Sequence, residues 1–316
     1  MHRLALVTHP ACERHDPGSG HPESPARLRA ILGELKRASI MGSGWAEPTE
    51  QVGEALLRRV HSSSHVDRML GLRGCAAVID ADTVASPGSM DAAMWAAGCA
   101  VRGVDLVMRG ESRRTFALVR PPGHHAERDR AMGFCFFNNV AIAAQHAIDA
   151  HGISRVLIAD FDVHHGNGTQ EVFESRADVL VFNTHQWPLW PGTGAADEQG
   201  IGAGVGFTVN VPLPAESGDE AYGRVYEETL PAIADRFRPE LLLVSAGFDA
   251  HRDDPLAEMN VTETGFARIA RALRAIARKH CGGKLIACLE GGYNLTALAA
   301  SVRAVVAEWS DDSADR

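Results

Sequence analysis

Five short segments of this 316-residue chain carry side chains that could share one metal ion and move protons beside it. They are Pro121-Pro122-Gly123-His124-His125, Asp160-Phe161-Asp162-Val163-His164-His165-Gly166-Asn167-Gly168, Pro191-Gly192-Thr193-Gly194, Gly247-Phe248-Asp249-Ala250-His251 and Glu290-Gly291-Gly292-Tyr293. Asp162 and His164 are two residues apart, a spacing that puts both on one side of an extended chain. A carboxylate with an imidazole suits zinc better than magnesium or calcium, which prefer oxygen-only shells. Asp249 is the best candidate for a third ligand. Two Asp and one His leave a coordination place open, as a catalytic zinc needs. The adjacent imidazoles of His124 and His125 would each need a partner to set the tautomer, and Asp160 and Asn167 are available for that. Tyr293, after two glycines, could donate to a developing oxyanion. Taken singly, each of these is an ordinary turn or cap residue; only the combination argues for chemistry.

Distant segments meet only if the fold brings them together. Short apolar runs at 4–7, 116–119, 156–159, 179–182, 241–244 and 285–289 read as strands covered on both faces. Helical patterns lie between them, at 24–38, 88–108, 137–150, 218–237 and 262–280. Ser24-Pro25 and Thr262 mark two of the starts. Alternating strand and helix predict an α/β fold: an open, mostly parallel sheet with helices on both faces, as one domain over 1–316. Such sheets bind ligands beyond the carboxyl ends of their strands, where these segments lie. Residues 185–206 hold six glycines, two tryptophans and two prolines, and read as a functional loop.

The chain is 45% hydrophobic and 22% charged, with a net charge of −9. That balance fits a globular protein with a large core and argues against non-specific nucleic-acid binding, which needs a basic face. No apolar run approaches the roughly 18 residues needed to cross a bilayer. The short apolar N-terminus is broken at Thr8-His9-Pro10, so a cytoplasmic location is expected, without membrane or nucleic-acid partners. The six cysteines form no Cys-x-x-Cys pair and read as reduced thiols.

These residues together resemble the zinc-dependent histone deacetylase family, in particular its class II branch and the bacterial-type amidohydrolases. The likeness runs from His21-Pro22-Glu23 to Asn294. It rests most on the Asp160–Thr169 string and on Gly133-Phe134-Cys135-Phe136-Phe137-Asn138-Asn139. The resemblance implies the arginase/deacetylase fold and hydrolysis of acyl-lysine amides. It assigns Asp162, His164 and Asp249 to one Zn2+. His125 would be the general base and His124 its electrostatic partner, with Asp160 paired to His124 and Asn167 to His125. Tyr293 would polarise the acyl carbonyl. Phe134 and Trp190 would wall the substrate tunnel, the Gly133 carbonyl would accept the substrate N–H, and Asp82 would hold the substrate at the rim. Main-chain oxygens of Asp160, Asp162 and His164, with Phe173 and Val179 further out, would bind K+. Leu256 stands where a polyamine-preferring subgroup carries an acidic gatekeeper. That departure favours acyl-lysine peptide or protein over acetylated polyamine as the substrate. Relatives form dimers and tetramers, so a homo-oligomer is a further expectation. An arginase-like two-metal hydrolase and a non-enzymatic binder of acetylated ligands are the rival readings.

Overall fold

The computed structural model describes residues 2–40, 42–48 and 50–311. Its strands, in chain order, are β1 (His2–Val7), β2 (Ser43–Ala46), β3 (Ala77–Val78), β4 (Val84–Ala85) and β5 (Ser112–Ala117). There follow β6 (Val156–Asp160), β7 (Val179–Gln186), β8 (Thr208–Leu213), β9 (Leu241–Ala246) and β10 (Leu285–Leu289). Eight of them form one sheet in the order β2-β1-β5-β10-β9-β6-β7-β8. Every pairing in it is parallel. β3 and β4 form a separate antiparallel ribbon.

Every residue of β6, β9 and β10 is buried, so both faces of the central sheet are covered. The helices are α1 (Pro25–Ala38), α2 (Glu54–Val60), α3 (Ser63–Leu70), α4 (Ser89–Met108), α5 (Asn139–His151), α6 (Asn167–Phe173), α7 (Asp219–Arg224), α8 (Leu230–Phe237), α9 (Glu263–His280) and α10 (Leu295–Ser310). One layer joins α1, α10, α9, α7 and α8; the other joins α2, α5 and α4. None of these helices is long and apolar enough to cross a membrane.

The structure departs from the sequence reading in several places. β5 begins at Ser112, four residues before the expected apolar run, with Arg114 buried inside it. The Arg114 guanidinium donates to the Trp309 carbonyl at 2.7 Å, which is how a strand accommodates a charge there. The helix expected at 218–237 is α7 and α8 joined by a π turn at Val225–Thr229. Tyr226 sits in that turn, and its hydroxyl donates to the Asp160 carbonyl at 3.1 Å. The strands β2, β3, β4 and β8 and the helices α2, α3, α6 and α10 were not expected.

The sheet order explains how distant segments meet. β5, β10, β9 and β6 are neighbours. The loops leaving their carboxyl ends carry His124 and His125, Tyr293, Asp249, and Asp162 with His164, in that order. β7 is next to β6, and its following loop brings Trp190. The whole constellation hangs from one edge of the sheet, where parallel α/β folds place their ligands.

Candidate active site

Asp162, His164 and Asp249 each offer one ligand atom, and the three atoms lie within 4.8 Å of one another. The His164 Nδ1 is 3.2 Å from Asp162 Oδ1 and 3.1 Å from Asp249 Oδ2. The other oxygen of each carboxylate is pinned by backbone: Gly291 N–H donates to Asp162 Oδ2 at 2.8 Å, and Val163 N–H to Asp249 Oδ1 at 2.9 Å. The second oxygen of each, Asp162 Oδ1 and Asp249 Oδ2, therefore faces the imidazole. Gly291 makes the close approach possible, since a Cβ there would stand 2.2 Å from Asp249 Oδ2. The spacing of Asp162 and His164 works differently from the extended chain expected. β6 ends at Asp160, and the segment then bends through two Asx turns, Asp160 Oδ1 accepting from Asp162 N and Asp162 Oδ1 from His164 N.

Both carboxylates are buried. Burial works against charging His164, but hydrogen bonds and charge from Asp162 and Asp249 outweigh it and raise its pKa to about 10. Two buried carboxylates facing one imidazole, with the three ligand atoms this close, make a candidate cation site. Its donors, two oxygens and a nitrogen, fit zinc.

The two histidines beside this cluster have opposite electrostatics. Their rings are 3.8 Å apart. His124 Nδ1 lies 3.0 Å from Asp160 Oδ2. Burial lowers its pKa, but Asp162 and Asp160 overcome that and lift it to about 10. His125 Nδ1 lies 2.7 Å from Asn167 Oδ1. Burial, with the nearby charge of His124, holds His125 well below its ordinary value. Asn167 also fixes the tautomer. Its amide nitrogen donates to Glu127 Oε1 at 2.7 Å, so its oxygen faces His125. His125 must then carry its proton on Nδ1, which leaves the Nε2 lone pair free. Glu127 completes this relay and was missed in the sequence, where nothing local marks it.

Other buried groups hold the loops. Glu290 Oε2 accepts from Gly123 N at 2.6 Å and His124 N at 3.2 Å, and Ser245 donates to Oε1. The Phe-Phe-Asn-Asn string acts from the other side. Asn138 caps α5 and donates to the Ala126 carbonyl, and Asn139 donates to that of Pro121. Beneath Tyr293, Arg27 donates to the carbonyls of Gly292 at 2.6 Å and Glu290 at 2.5 Å, and its guanidinium lies 4.9 Å from the phenol ring centroid. Asp254 Oδ2 accepts from Tyr293 N at 2.7 Å, while its Oδ1 accepts from Leu256 N. One carboxylate thus fixes both the phenol and the residue at position 256.

Arg27 and Arg120 share the buried Glu23. Arg120 binds it through two nitrogens, at 2.5 and 2.6 Å, and Arg27 at 3.0 Å. Burial raises the pKa of Glu23, but Arg120, His15 and Arg27 drive it well below the ordinary value. A carboxylate depressed in the folded state adds stability above its unfolded pKa and loses it as pH falls through the folded value. Replacing Glu23 by Leu should destabilise the fold by about 3–5 kcal/mol at neutral pH, because two buried guanidinium groups lose their partner. The deficit relative to the wild-type chain should shrink in acid, which denaturant titrations at several pH values would measure.

A cavity of about 190 Å3 opens onto this cluster, lined by Asp82, His125, Gly133, Phe134, His164, Leu189, Trp190, Leu256 and Tyr293. All the expected substrate-facing residues are in its wall; Leu189 is an addition. Trp190 packs edge-on against His125, with centroids 4.7 Å apart, and Phe134 against Tyr293, at 5.9 Å. Gly133 takes φ +56°, and a Cβ there would lie 2.5 Å from both the His125 and Trp190 rings. Thr83 joins the rim, its hydroxyl donating to Asp82 and accepting from Phe134 N. Of the residues expected around K+, Asp160, Asp162 and His164 share the bent segment, Phe173 ends α6 and Val179 begins β7.

The fold is a parallel α/β sheet whose carboxyl edge gathers three metal-type donors, two buried imidazoles and a phenol. The histone deacetylase domain family matches residues 21–309, and the chain belongs to it. A probable deacetylase from Archaeoglobus fulgidus is 40% identical over 294 residues, covering 92% of this chain and 81% of that protein. The human polyamine deacetylase HDAC10 is 40% identical over 294 residues, 89% of this chain but 43% of that one. The crystal structure of an HDA15 HD domain superposes with a TM-score of 0.91 at 40% identity, covering 97% of this chain and 88% of that one. The protein is a hydrolase of the deacetylase and amidohydrolase type.

Proposed function

We propose that this chain is a zinc-dependent deacylase that removes acetyl or related acyl groups from the side-chain amine of acyl-lysine. The observation that carries this reading is the convergence of three metal-type donors, an imidazole with a free Nε2 and a phenol on one narrow cavity. Zinc held by Asp162, His164 and Asp249 supplies a Lewis acid that brings the pKa of water towards neutrality and polarises the acyl carbonyl. The rest falls to the chain's own residues. Phe134 and Trp190 enclose the lysine stem, and the Gly133 carbonyl takes the substrate N–H. His125 Nε2 accepts a proton from the attacking water and returns it to the departing amine. Tyr293 donates to the oxygen that gains charge. His124, held as a cation by Asp160, keeps positive charge beside the reacting centre. A structural K+ near Asp160 would complete the metal complement.

Acyl-lysine is favoured over acetylated polyamine by Leu256. Leu256 offers no charge at the position where an acidic side chain would meet the further ammonium groups of a polyamine, which leaves Asp82 as the one carboxylate among the residues lining this cavity. The polyamine reading keeps some support from the 40% identity to the human enzyme named for that activity. An acyl-lysine peptide panel and acetylated polyamines, assayed side by side, separate the two. The expected result is a higher kcat/KM on the peptides; a reversed order assigns the polyamine class. The chain should also be inhibited by a hydroxamate in competition with substrate. Loss of hydroxamate binding by calorimetry in Asp249→Ala, with a matching loss of zinc, would place the inhibitor on the metal.

A further inference from the structure

Asp105, His146 and His151 form a second cluster with metal-ligand character, and the hydrolytic reading uses none of them. Asp105 lies in the last turn of α4; His146 and His151 lie in the last two turns of α5. The Nε2 atoms of both histidines are 2.8 Å from one atom, Asp105 Oδ1. The rings meet edge to face, with centroids 5.4 Å apart. Two imidazoles aimed at a single carboxylate oxygen need only small rotations to place all three ligand atoms around an ion. The position is fixed rather than fortuitous, since the α4–α5 packing sets the backbones and Arg109 holds the other oxygen, Oδ2, at 3.2 Å.

We propose that Asp105 Oδ1, His146 Nε2 and His151 Nε2 bind a divalent transition metal of the zinc type, clamping the C-terminal ends of α4 and α5. Nitrogen–nitrogen–oxygen donor sets select zinc, cobalt, nickel or copper over calcium and magnesium. The three side chains are 18–19% exposed, open enough for water to complete the coordination. A cleft of about 230 Å3, lined by Asp105 and His146 among others, gives access from solvent. The helix ends add favourable field, because the C-terminal carbonyls of a helix carry partial negative charge. For each histidine the proton moves from Nε2 to Nδ1, freeing the ligating lone pair. Arg109 opposes the ion by one positive charge, so this site should be weaker than the buried one.

The cluster lies at the opposite edge of the sheet from the hydrolytic cavity. α4 leads into the amino end of β5 and α5 into that of β6, whereas the catalytic loops leave the carboxyl ends. Substitutions here should therefore leave turnover intact. The test compares the full chain with His146→Gln/His151→Gln after equilibration with buffered Zn2+ and gel filtration. Wild type should retain one zinc equivalent more than the variant, at equal kcat/KM. Added Zn2+ should raise the Tm of wild type more than that of the variant. Equal zinc content in the two proteins overturns the proposal, whatever the content of the catalytic site. Should the variant not fold, zinc-edge anomalous scattering from zinc-soaked wild-type crystals decides. A peak among the three side chains supports the site, and none at that position refutes it.

Discussion

Replacing His125 by Ala is expected to lower kcat by about 10³–10⁴-fold, the upper end of what a single acid–base group contributes, with zinc content unchanged. The expectation follows from the difference between the two neighbouring imidazoles. His124 is bound to the Asp160 carboxylate, and the charges of Asp162 and Asp160 raise its pKa, which disfavours it as a proton acceptor. His125 is depressed, neutral and locked by Asn167 into the tautomer with a free Nε2. Only His125 can take a proton from water, and the same atom must return it to the amine. Its ring is 6.0 Å from that of His164, a neighbour of the metal cluster rather than part of it. Loss of zinc along with activity would show that base and ligand had been exchanged. Replacing Asn167 by Asp gives a second readout. A carboxylate at Nδ1 favours the imidazolium, so the pKa of His125 rises and the acidic limb of the kcat/KM profile moves to higher pH. An unmoved limb would mean that the limb reports another group.

The candidate site residues were legible in the sequence because each sits in a short, unusual string beyond an apolar run. The runs at 156–159, 241–244 and 285–289 are strands because burial on both faces leaves no place for polar alternation. The edges of the sheet were not legible for the converse reason. β8, Thr-Val-Asn-Val-Pro-Leu, is only partly buried and contains Asn210 and Pro212, and β2 is Ser-Gly-Trp-Ala with Trp45 exposed. What lies beneath the site was hidden by sequence distance. Arg120 meets Glu23 across 97 residues, Gly123 meets Glu290 across 167, and Arg27 reaches Gly292 across 265. No local pattern encodes such pairs, and Glu290 in particular reads as a residue that merely precedes two glycines. Yet these pairs decide where the loops carrying His124 and Tyr293 stop. The short strings mark the candidate groups, and the buried charges beneath them set where those groups sit.

Replacing Tyr293 by Phe should reduce kcat by about 10²–10³-fold with little change in KM, the cost of losing one oxyanion donor. The substitution is informative because everything that positions the ring is independent of the hydroxyl. Asp254 holds the Tyr293 backbone N–H, Arg27 holds the Gly292 carbonyl and lies against the ring, and Phe134 packs on the ring edge. A phenylalanine should keep all of these contacts and lose only the O–H. The phenol is well suited to donate. Burial raises its pKa well above the usual value despite the opposing charge of Arg27, so the proton is present throughout the working range. If the hydroxyl acts on the developing oxyanion, the defect falls on kcat and kcat/KM alike, and a ground-state ligand such as a hydroxamate loses much less. A loss confined to KM would instead make Tyr293 a binding residue, and unchanged turnover would remove it from the reaction. Asp254→Ala separates position from chemistry. It leaves the hydroxyl in place but frees the backbone beneath it, so it should lower kcat less than Tyr293→Phe, and combining the two should cost less than the sum of the separate losses.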